Sequence, residues 1–464
     1  MLHTHGDLLI VTLLCTVVFL LQALHLHEAA FSVTDEGSHA EIGRMIFEGF
    51  APYRDFYYPH PPLLPLLIGG GLKIFGSMYP LRVIYLLLNV GGAIPLFFLL
   101  RKLTGSRFGA VAGIIMYLTF HEMMHHDSRF LGLRHLSNIF VIAFASVGIF
   151  LKKWKYRSLG ETALVSLTTL LFYPAVLNIA LVSLLIITRE KTNRQRITLL
   201  RHYATIGSVT LVVLLLFFAL VARSIDQTFL EHLGLPAMPR WNRILWIINS
   251  DPADLFLYGI TTTSLLLSLA VLRGQRLLAL CMLCMISLIF LPAEFWPHYT
   301  VTAVLAFAAG TALLPALFRK VLRVQTMIIP QIITVMIVAV HLHSSLPSLL
   351  GEWNGNRGGD YHQIVSELRK YPEPVLTYME PIYAIDAEKK LVQYTYRATR
   401  FTATIHYAIP AEEHLRLAEK ACTIFLPGWD RSTLPPDVLK HWRETYELMN
   451  DDPLILLTHN PHCS

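Results

Sequence analysis

The chain has 464 residues, 54% of them hydrophobic and only 15% charged, with a mean hydropathy of +0.50. That balance excludes an ordinary soluble globule and predicts a polytopic membrane protein. The net charge of +6 comes with no basic-aromatic module of the kind that grips nucleic acid, so no nucleic-acid partner is expected.

A hydrocarbon core about 30 Å thick takes roughly 20 apolar residues per helix, and on that measure about eleven segments stand out. In chain order they cover residues 8–26, 79–100, 108–121, 135–151, 161–174, 175–188, 203–222, 254–272, 277–292, 299–318 and 326–343. The first has no Lys or Arg ahead of it and outruns a signal-peptide core, so it reads as a retained anchor. Residues 61–75 are too short to cross, begin with prolines and carry Gly69, Gly70 and Gly71; they read as a helix lying at the interface. Residues 161–188 have basic clusters on both flanks and must cross an even number of times, which a short hairpin turning at Tyr173 and Pro174 satisfies.

Lys and Arg in short loops set the orientation. The clusters within 101–107, 152–157, 189–201, 273–276 and 319–323 hold seventeen, while the opposite loops hold seven arginines and Lys73. The N-terminus is therefore expected in the cytoplasm and the C-terminal region outside. After residue 343 the composition changes. A linker at 344–359, polar and glycine-rich over 351–359, precedes a soluble α/β segment at 360–464. There Asp360 is expected to cap a helix reaching Lys370, with strands at 374–379, 422–426 and 454–458 and helices at 411–421 and 435–450. Of five cysteines, Cys422 and Cys463 are the pair placed to form a disulfide; Cys15, Cys281 and Cys284 fall in membrane helices.

The densest chemistry lies in residues 31–67, FSVTDEGSHAEIGRMIFEGFAPYRDFYYPHPPLLPLL, directly behind the first apolar segment. Polar groups of that density beside a bilayer are costly unless they act on something. A carboxylate at a partly dehydrated interface, next to a second one, gains basicity; this suits Asp35 to general-base work with Glu36 as its neighbour. Arg54 is suited to bidentate phosphate contact and His60 can donate to phosphate. Tyr57 and Tyr58 either assist or form an interfacial aromatic belt.

Two later loops add candidates. His121-Glu-Met-Met-His125-His-Asp127-Ser-Arg129 supplies an acid and an arginine, and its first five residues also spell HExxH. On a helix that spelling sets two imidazoles one turn apart, with a glutamate to activate zinc-bound water, so His121, His125 and Asp127 form a possible metal set. An intramembrane zinc metalloprotease is the competing enzyme class. It needs a further ligand, for which Asp127, His135 or a distant acid are candidates, and no familiar downstream partner motif is present. The third loop, Pro292-Ala-Glu-Phe-Trp-Pro-His298-Tyr299, offers His298 as a second phosphate contact or as a capping histidine in an aromatic girdle. A transporter is the non-enzyme rival, since intramembrane charges also mark substrate paths; against it, the polar groups concentrate in loops and no inverted repeat is apparent.

The Asp35-Glu36 pair followed by Tyr57-Tyr58-Pro-His60-Pro-Pro resembles the first extracytoplasmic loop of the class C glycosyltransferases, membrane enzymes that use polyprenyl-phosphate sugars, and within them the protein O-mannosyltransferase and aminoarabinose transferase superfamily. Asp127 with Arg129, and the Pro-His298-Tyr step, match more loosely. The resemblance implies a mainly α transmembrane glycosyltransferase domain over 1–343 with a catalytic first outer loop at 27–78, followed by an extracytoplasmic α/β domain. It implies Asp35 as base, Glu36 beside it, and a donor phosphate held by His60, Arg54, Tyr57, Tyr58 and His298. It requires no cofactor, with a divalent metal as an option. The partners implied are a polyprenyl-phosphate sugar donor, membrane lipids and an acceptor lipid, glycan or protein, in the bacterial inner (plasma) membrane. His60 departs from the pattern, because related aminoarabinose transferases usually carry a lysine there.

Overall fold

The computed structural model describes residues 2–24, 26, 33–52, 58, 60–120, 132–216, 252–290, 297–349, 357–377, 382–392, 411–426, 434–451, 453–458 and 463. The chain falls into two compact units: Met1–His25 with Val83–Val221 and Ile225–Trp353, and Leu26–Arg82 with Ala222–Ser224 and Asn354–Ser464.

The first unit contains α1 (Leu2–Ala23), and the second opens with α2 (Val33–Phe47) and α3 (Leu63–Phe75). Then come α4 (Tyr79–Gly91), α5 (Ala93–Thr104), α6 (Arg107–Leu118), α7 (Leu133–Phe150), α8 (Trp154–Leu171), α9 (Val176–Arg189), α10 (Asn193–Leu216), α11 (Pro252–Val271), α12 (Arg276–Ser287), α13 (Val304–Val321) and α14 (Ile328–Leu349). Among the described residues six helices are long and apolar enough to cross a membrane: Gly6–Ala23, Tyr79–Thr104, Leu133–Phe150, Asn193–Leu216, Thr300–Val321 and Ile328–Leu346. This is an integral membrane protein. The helices α6 and α9 are apolar but shorter, and α11 and α12 meet at a 117° bend. The expected hairpin is present: α8 ends at Leu171, a 3-10 turn covers Tyr173–Ala175, and α9 runs back.

Burial shows which helix is the hub. The Thr300–Val321 span is 83% buried, against 17% for Asn193–Leu216. Without a hydrophobic driving force between helices in lipid, close contact depends on small residues. Accordingly α13 presents Ala308 and Ala312, and α6 meets them with Gly109 and Gly113. A Cβ at Gly113 would run into the Ala308 carbonyl oxygen 2.6 Å away, and one at Gly109 into that of Ala312. At one end of the unit, fully buried Asp7 of α1 pairs with Arg101 and Arg107.

In the second unit α2 and α3 cross at two glycines: a Cβ on Gly43 would lie 2.7 Å from the Gly69 nitrogen. The C-terminal part holds α15 (Arg357–Leu368), β1 (Val375–Leu376), α16 (Ile382–Asp386), α17 (Ala411–Ala418), β2 (Thr423–Leu426), α18 (Pro436–Thr445), β3 (Glu447–Asp451) and β4 (Leu454–Leu457). The sheet order is β1-β2-β4-β3, with β1 and β2 parallel and the other pairs antiparallel. Strand β2 (Thr-Ile-Phe-Leu) is buried throughout, as a central strand should be, whereas Glu447–Asp451 is mostly exposed and polar, as suits an edge. Trp442, Leu417, Val438, Ile424, Leu426 and Leu456 form the core beneath it.

Two expectations are corrected. Asp360 does not cap a helix, because α15 already begins at Arg357. The helix expected over 435–450 stops at Thr445, and the remainder is β3, paired with β4; the apolar positions there fit both periods, and pairing with the buried β4 decides for the strand. Cys422 and Cys463 are joined by a disulfide.

Candidate active site

The segment expected to carry the base is a helix. Ala40, Glu41, Ile42, Arg44 and Met45 favour helix, and α2 buries Glu36, His39, Ala40, Ile42 and Met45 on the packed side. Asp35 sits in its first turn; its side chain lies outside the described residues. The early position puts residue 35 where free backbone N–H groups gather and where carboxylates are favoured.

Glu36, one residue on, is 1% exposed and is gripped by Arg82 from the first turn of α4. The guanidinium Nη2 lies 2.6 Å from Oε2, and Nε lies 3.2 and 3.1 Å from the two oxygens. Arg82 also faces Asp386 at the end of α16, 3.9 Å away. A buried carboxylate held by a buried guanidinium is costly to break, so this pair fixes the first turn of α2 against Arg82 and α16 within the second unit.

One turn further along, His39 is buried, with Nδ1 3.2 Å from the Tyr58 hydroxyl in a hydrogen bond. The rings of His39, Tyr58 and His60 form a triangle of edge contacts, with centroids 5.8, 6.3 and 5.7 Å apart. Residues 35 and 39 are four apart on one helix and so share a face. The structure thus gathers Tyr58 and His60 around the helix that bears Asp35. Past that turn, Glu41 and Arg44 form a two-pronged pair, Nε to Oε2 at 3.0 Å and Nη2 to Oε1 at 2.9 Å. Burial pushes the Glu41 carboxyl above the usual carboxylate range, opposed by the Arg44 charge.

Three of these residues were missed in the sequence. His39 becomes visible once the segment is recognised as a helix, because it stands four residues after Asp35. Arg82 is a lone charge inside an apolar run, a signal that was present in 79–100 and was absorbed into the span. Nothing local marks Asp386.

The first unit carries the remaining candidates. His135, in the first turn of α7, is fully buried beside Tyr85, and neither of its ring nitrogens has a hydrogen-bond partner among the described residues. The Tyr85 hydroxyl donates to the Gly132 carbonyl oxygen at 2.8 Å. The 3-10 stretch Pro297–Ala303, on which His298 is placed, is held by side chains from neighbouring helices: Asn138 donates to the Val301 carbonyl at 2.7 Å and Asn178 to that of Thr302 at 3.0 Å. The Tyr258 hydroxyl adds a bond to Thr300 at 3.0 Å. The side chain of His298, together with Arg54, Tyr57, His121, Glu122, His125, Asp127 and Arg129, lies outside the described residues. Among the described residues no group of three His, Cys, Asp or Glu side chains could hold a metal ion.

No family model matches the chain. No curated protein matches it in sequence. Solved structures do match. ArnT from Cupriavidus metallidurans in the apo state superposes with a TM-score of 0.62 at 15% identity, over 95% of this chain and 97% of that one. The same protein bound to undecaprenyl phosphate gives 0.61 at 16% identity over the same shares. The chain has the class C glycosyltransferase fold. The archaeal oligosaccharyltransferase AglB from Archaeoglobus fulgidus, in complex with an inhibitory peptide and a dolichol phosphate, gives 0.46 at 12% identity over 89% of this chain and 69% of that one. The likeness to ArnT covers nearly the whole of both chains.

Proposed function

We propose that this protein is a membrane glycosyltransferase that moves a sugar from a polyprenyl-phosphate donor to an acceptor hydroxyl on the extracytoplasmic face, with inversion at the anomeric carbon. The observation that carries the reading is the likeness to ArnT over almost the full length of both chains, one of those structures being bound to undecaprenyl phosphate.

Within the second unit, Asp35 takes the proton of the acceptor hydroxyl, which attacks the anomeric carbon. The bond to the phosphate oxygen breaks, and polyprenyl phosphate departs as an anion that needs no strong acid. Arg54, Tyr57, Tyr58 and His60 hold that phosphate, and Glu36, tied to Arg82, keeps the first turn of α2 in place.

The test is turnover of radiolabelled polyprenyl-phosphate sugars by the purified full-length protein. General-base catalysis is worth roughly 10²–10⁴-fold, so Asp35→Asn should lower turnover by about that factor while the protein purifies and melts like the wild type. Undiminished turnover in Asp35→Asn rejects the base. Absence of turnover with every polyprenyl-phosphate sugar, together with peptide cleavage that a chelator and Glu122→Gln both abolish, rejects the transferase in favour of the zinc protease.

A further inference from the structure

A groove in the first unit lies outside everything assigned above. It runs between α8 and α10, encloses about 320 Å³, and is lined by Ser158, Thr162, Ser166 and Thr169 on one wall and by Thr205 and Val209 among others on the opposite wall. The α8 residues fall at helical spacing on one ridge, where larger side chains would fill the space. Despite its hydroxyls the groove is apolar in character. Thr162 bonds back to the Ser158 carbonyl, Thr169 to that of Val165 and Thr205 to that of Arg201, each at 2.8 Å, so these threonines spend their hydroxyl protons on their own helices. From Ser158 to Leu170 the α8 wall is about 18 Å long at 1.5 Å per residue, a little over half of a ~30 Å hydrocarbon core.

One end of the groove is polar and lies toward the basic flanks of α8 and α10. His202 lines it and packs on Trp154, ring centroids 4.9 Å apart. Fully buried Glu161 beside it is taken up by three donors or rings: Arg157 Nε at 3.0 Å, the Tyr203 hydroxyl at 2.7 Å and His202 Nε2 at 2.9 Å. Between residues 152 and 202 the chain has nine Lys and Arg against two acids, Glu161 and Glu190. Beyond the groove, α10 carries further exposed apolar side chains at Leu211, Val212, Leu215 and Leu216, as suits a helix bordered by hydrocarbon.

We infer that the groove between α8 and α10 is a binding site for an anionic phospholipid, one acyl chain lying along the Ser158–Leu170 wall and the headgroup phosphate meeting the basic end at His202. The length of the groove matches one leaflet's acyl chain, and the charge at its end selects the headgroup. A zwitterionic lipid gains the chain contacts without the electrostatic attraction.

The full-length protein, delipidated in detergent and returned to nanodiscs, tests this with two probes, phosphatidylglycerol and phosphatidylcholine, each bearing a diazirine in one acyl chain. Crosslinks from the phosphatidylglycerol probe should concentrate on peptides 158–170 and 205–214 and exceed those of phosphatidylcholine at least fivefold. That preference should shrink as salt rises. Ser166→Leu, which fills the groove, should cut the crosslinks about tenfold. Arg201→Gln, an exposed change that leaves the fold intact, should cut the headgroup preference and spare the chain contact. The proposal fails if the probe labels all spans evenly, if the two lipids label equally, or if Ser166→Leu changes nothing. It fails equally if Ser166→Cys crosslinks two copies of the chain, because the groove is then a helix–helix interface.

Discussion

The buried Glu36–Arg82 pair separates two kinds of acid that the sequence writes side by side. Asp35 is proposed to meet the acceptor, whereas Glu36 bonds to Arg82 through both oxygens. Removing one member of a buried pair typically costs 3–5 kcal/mol because the other charge is left uncompensated. The two removals are not equal here. Glu36→Gln leaves Arg82 still facing Asp386 at 3.9 Å, whereas Arg82→Met takes the guanidinium from two carboxyl groups at once. Arg82→Met should therefore destabilise by about 3–5 kcal/mol and Glu36→Gln by less, with the double variant Glu36→Leu/Arg82→Leu recovering part of the loss. Unfolding in detergent across the double-mutant cycle reads the coupling, and additive single effects would remove the pair from the account. Glu41 adds a pH signature. Its folded carboxyl titrates above an ordinary glutamate because burial disfavours the charge. The native state therefore holds a proton that the unfolded chain has released, and stability falls as pH rises from the ordinary glutamate pKa through the raised one. Glu41→Gln should flatten that limb of a melting-temperature against pH curve; an unchanged slope means that another group sets it.

At the scale of elements, helix approach is governed by glycines. The Gly43–Gly69 crossing brings backbone to backbone, so a methyl group on either residue meets atoms that cannot swing away. Overpacking of that kind costs typically 1–3 kcal/mol and occasionally more. Gly71 is the control. The three atoms nearest to a Cβ there all belong to the Leu81 side chain, which can change rotamer. Gly43→Ala should lower the melting temperature clearly and Gly71→Ala far less; equal effects would mean that α2 and α3 can part without penalty. Much of this layer was legible beforehand. Hydropathy marks the spans because lipid demands a continuous apolar surface, and the α8–α9 hairpin followed from basic residues on both flanks. What stayed hidden was pairing at a distance. The helical state of 33–47 depends on burial against α3 and α16, and the partnership of Glu36 with a residue 46 positions away leaves no local trace. The β3 strand was hidden for the same reason, since its neighbour β4 decides its conformation.

For the whole molecule, two independent lines bear on which end faces outward. Seventeen Lys and Arg crowd one set of short loops against eight in the other, a bias that the positive-inside rule reads as orientation. Separately, Cys422 is bridged to Cys463, and such bridges persist in oxidising compartments and are rare in the cytoplasm. Loop charge acts during insertion and the disulfide records the compartment afterwards, so neither observation depends on the other. On both we propose that the C-terminal residues lie outside. Alkaline phosphatase fused after Ser464 should then be active in cells, while green fluorescent protein fused after Leu322, in the basic cluster at 319–323, should fluoresce. In spheroplasts a membrane-impermeant maleimide should label Cys422 only after reduction. An inactive phosphatase fusion, or Cys422 that stays unlabelled even after reduction, would turn the chain over, whereas labelling without a reductant would remove the disulfide. A chain turned over would also bring the α2 segment to the cytoplasmic side, where a base serving a donor flipped to the outer leaflet could not act.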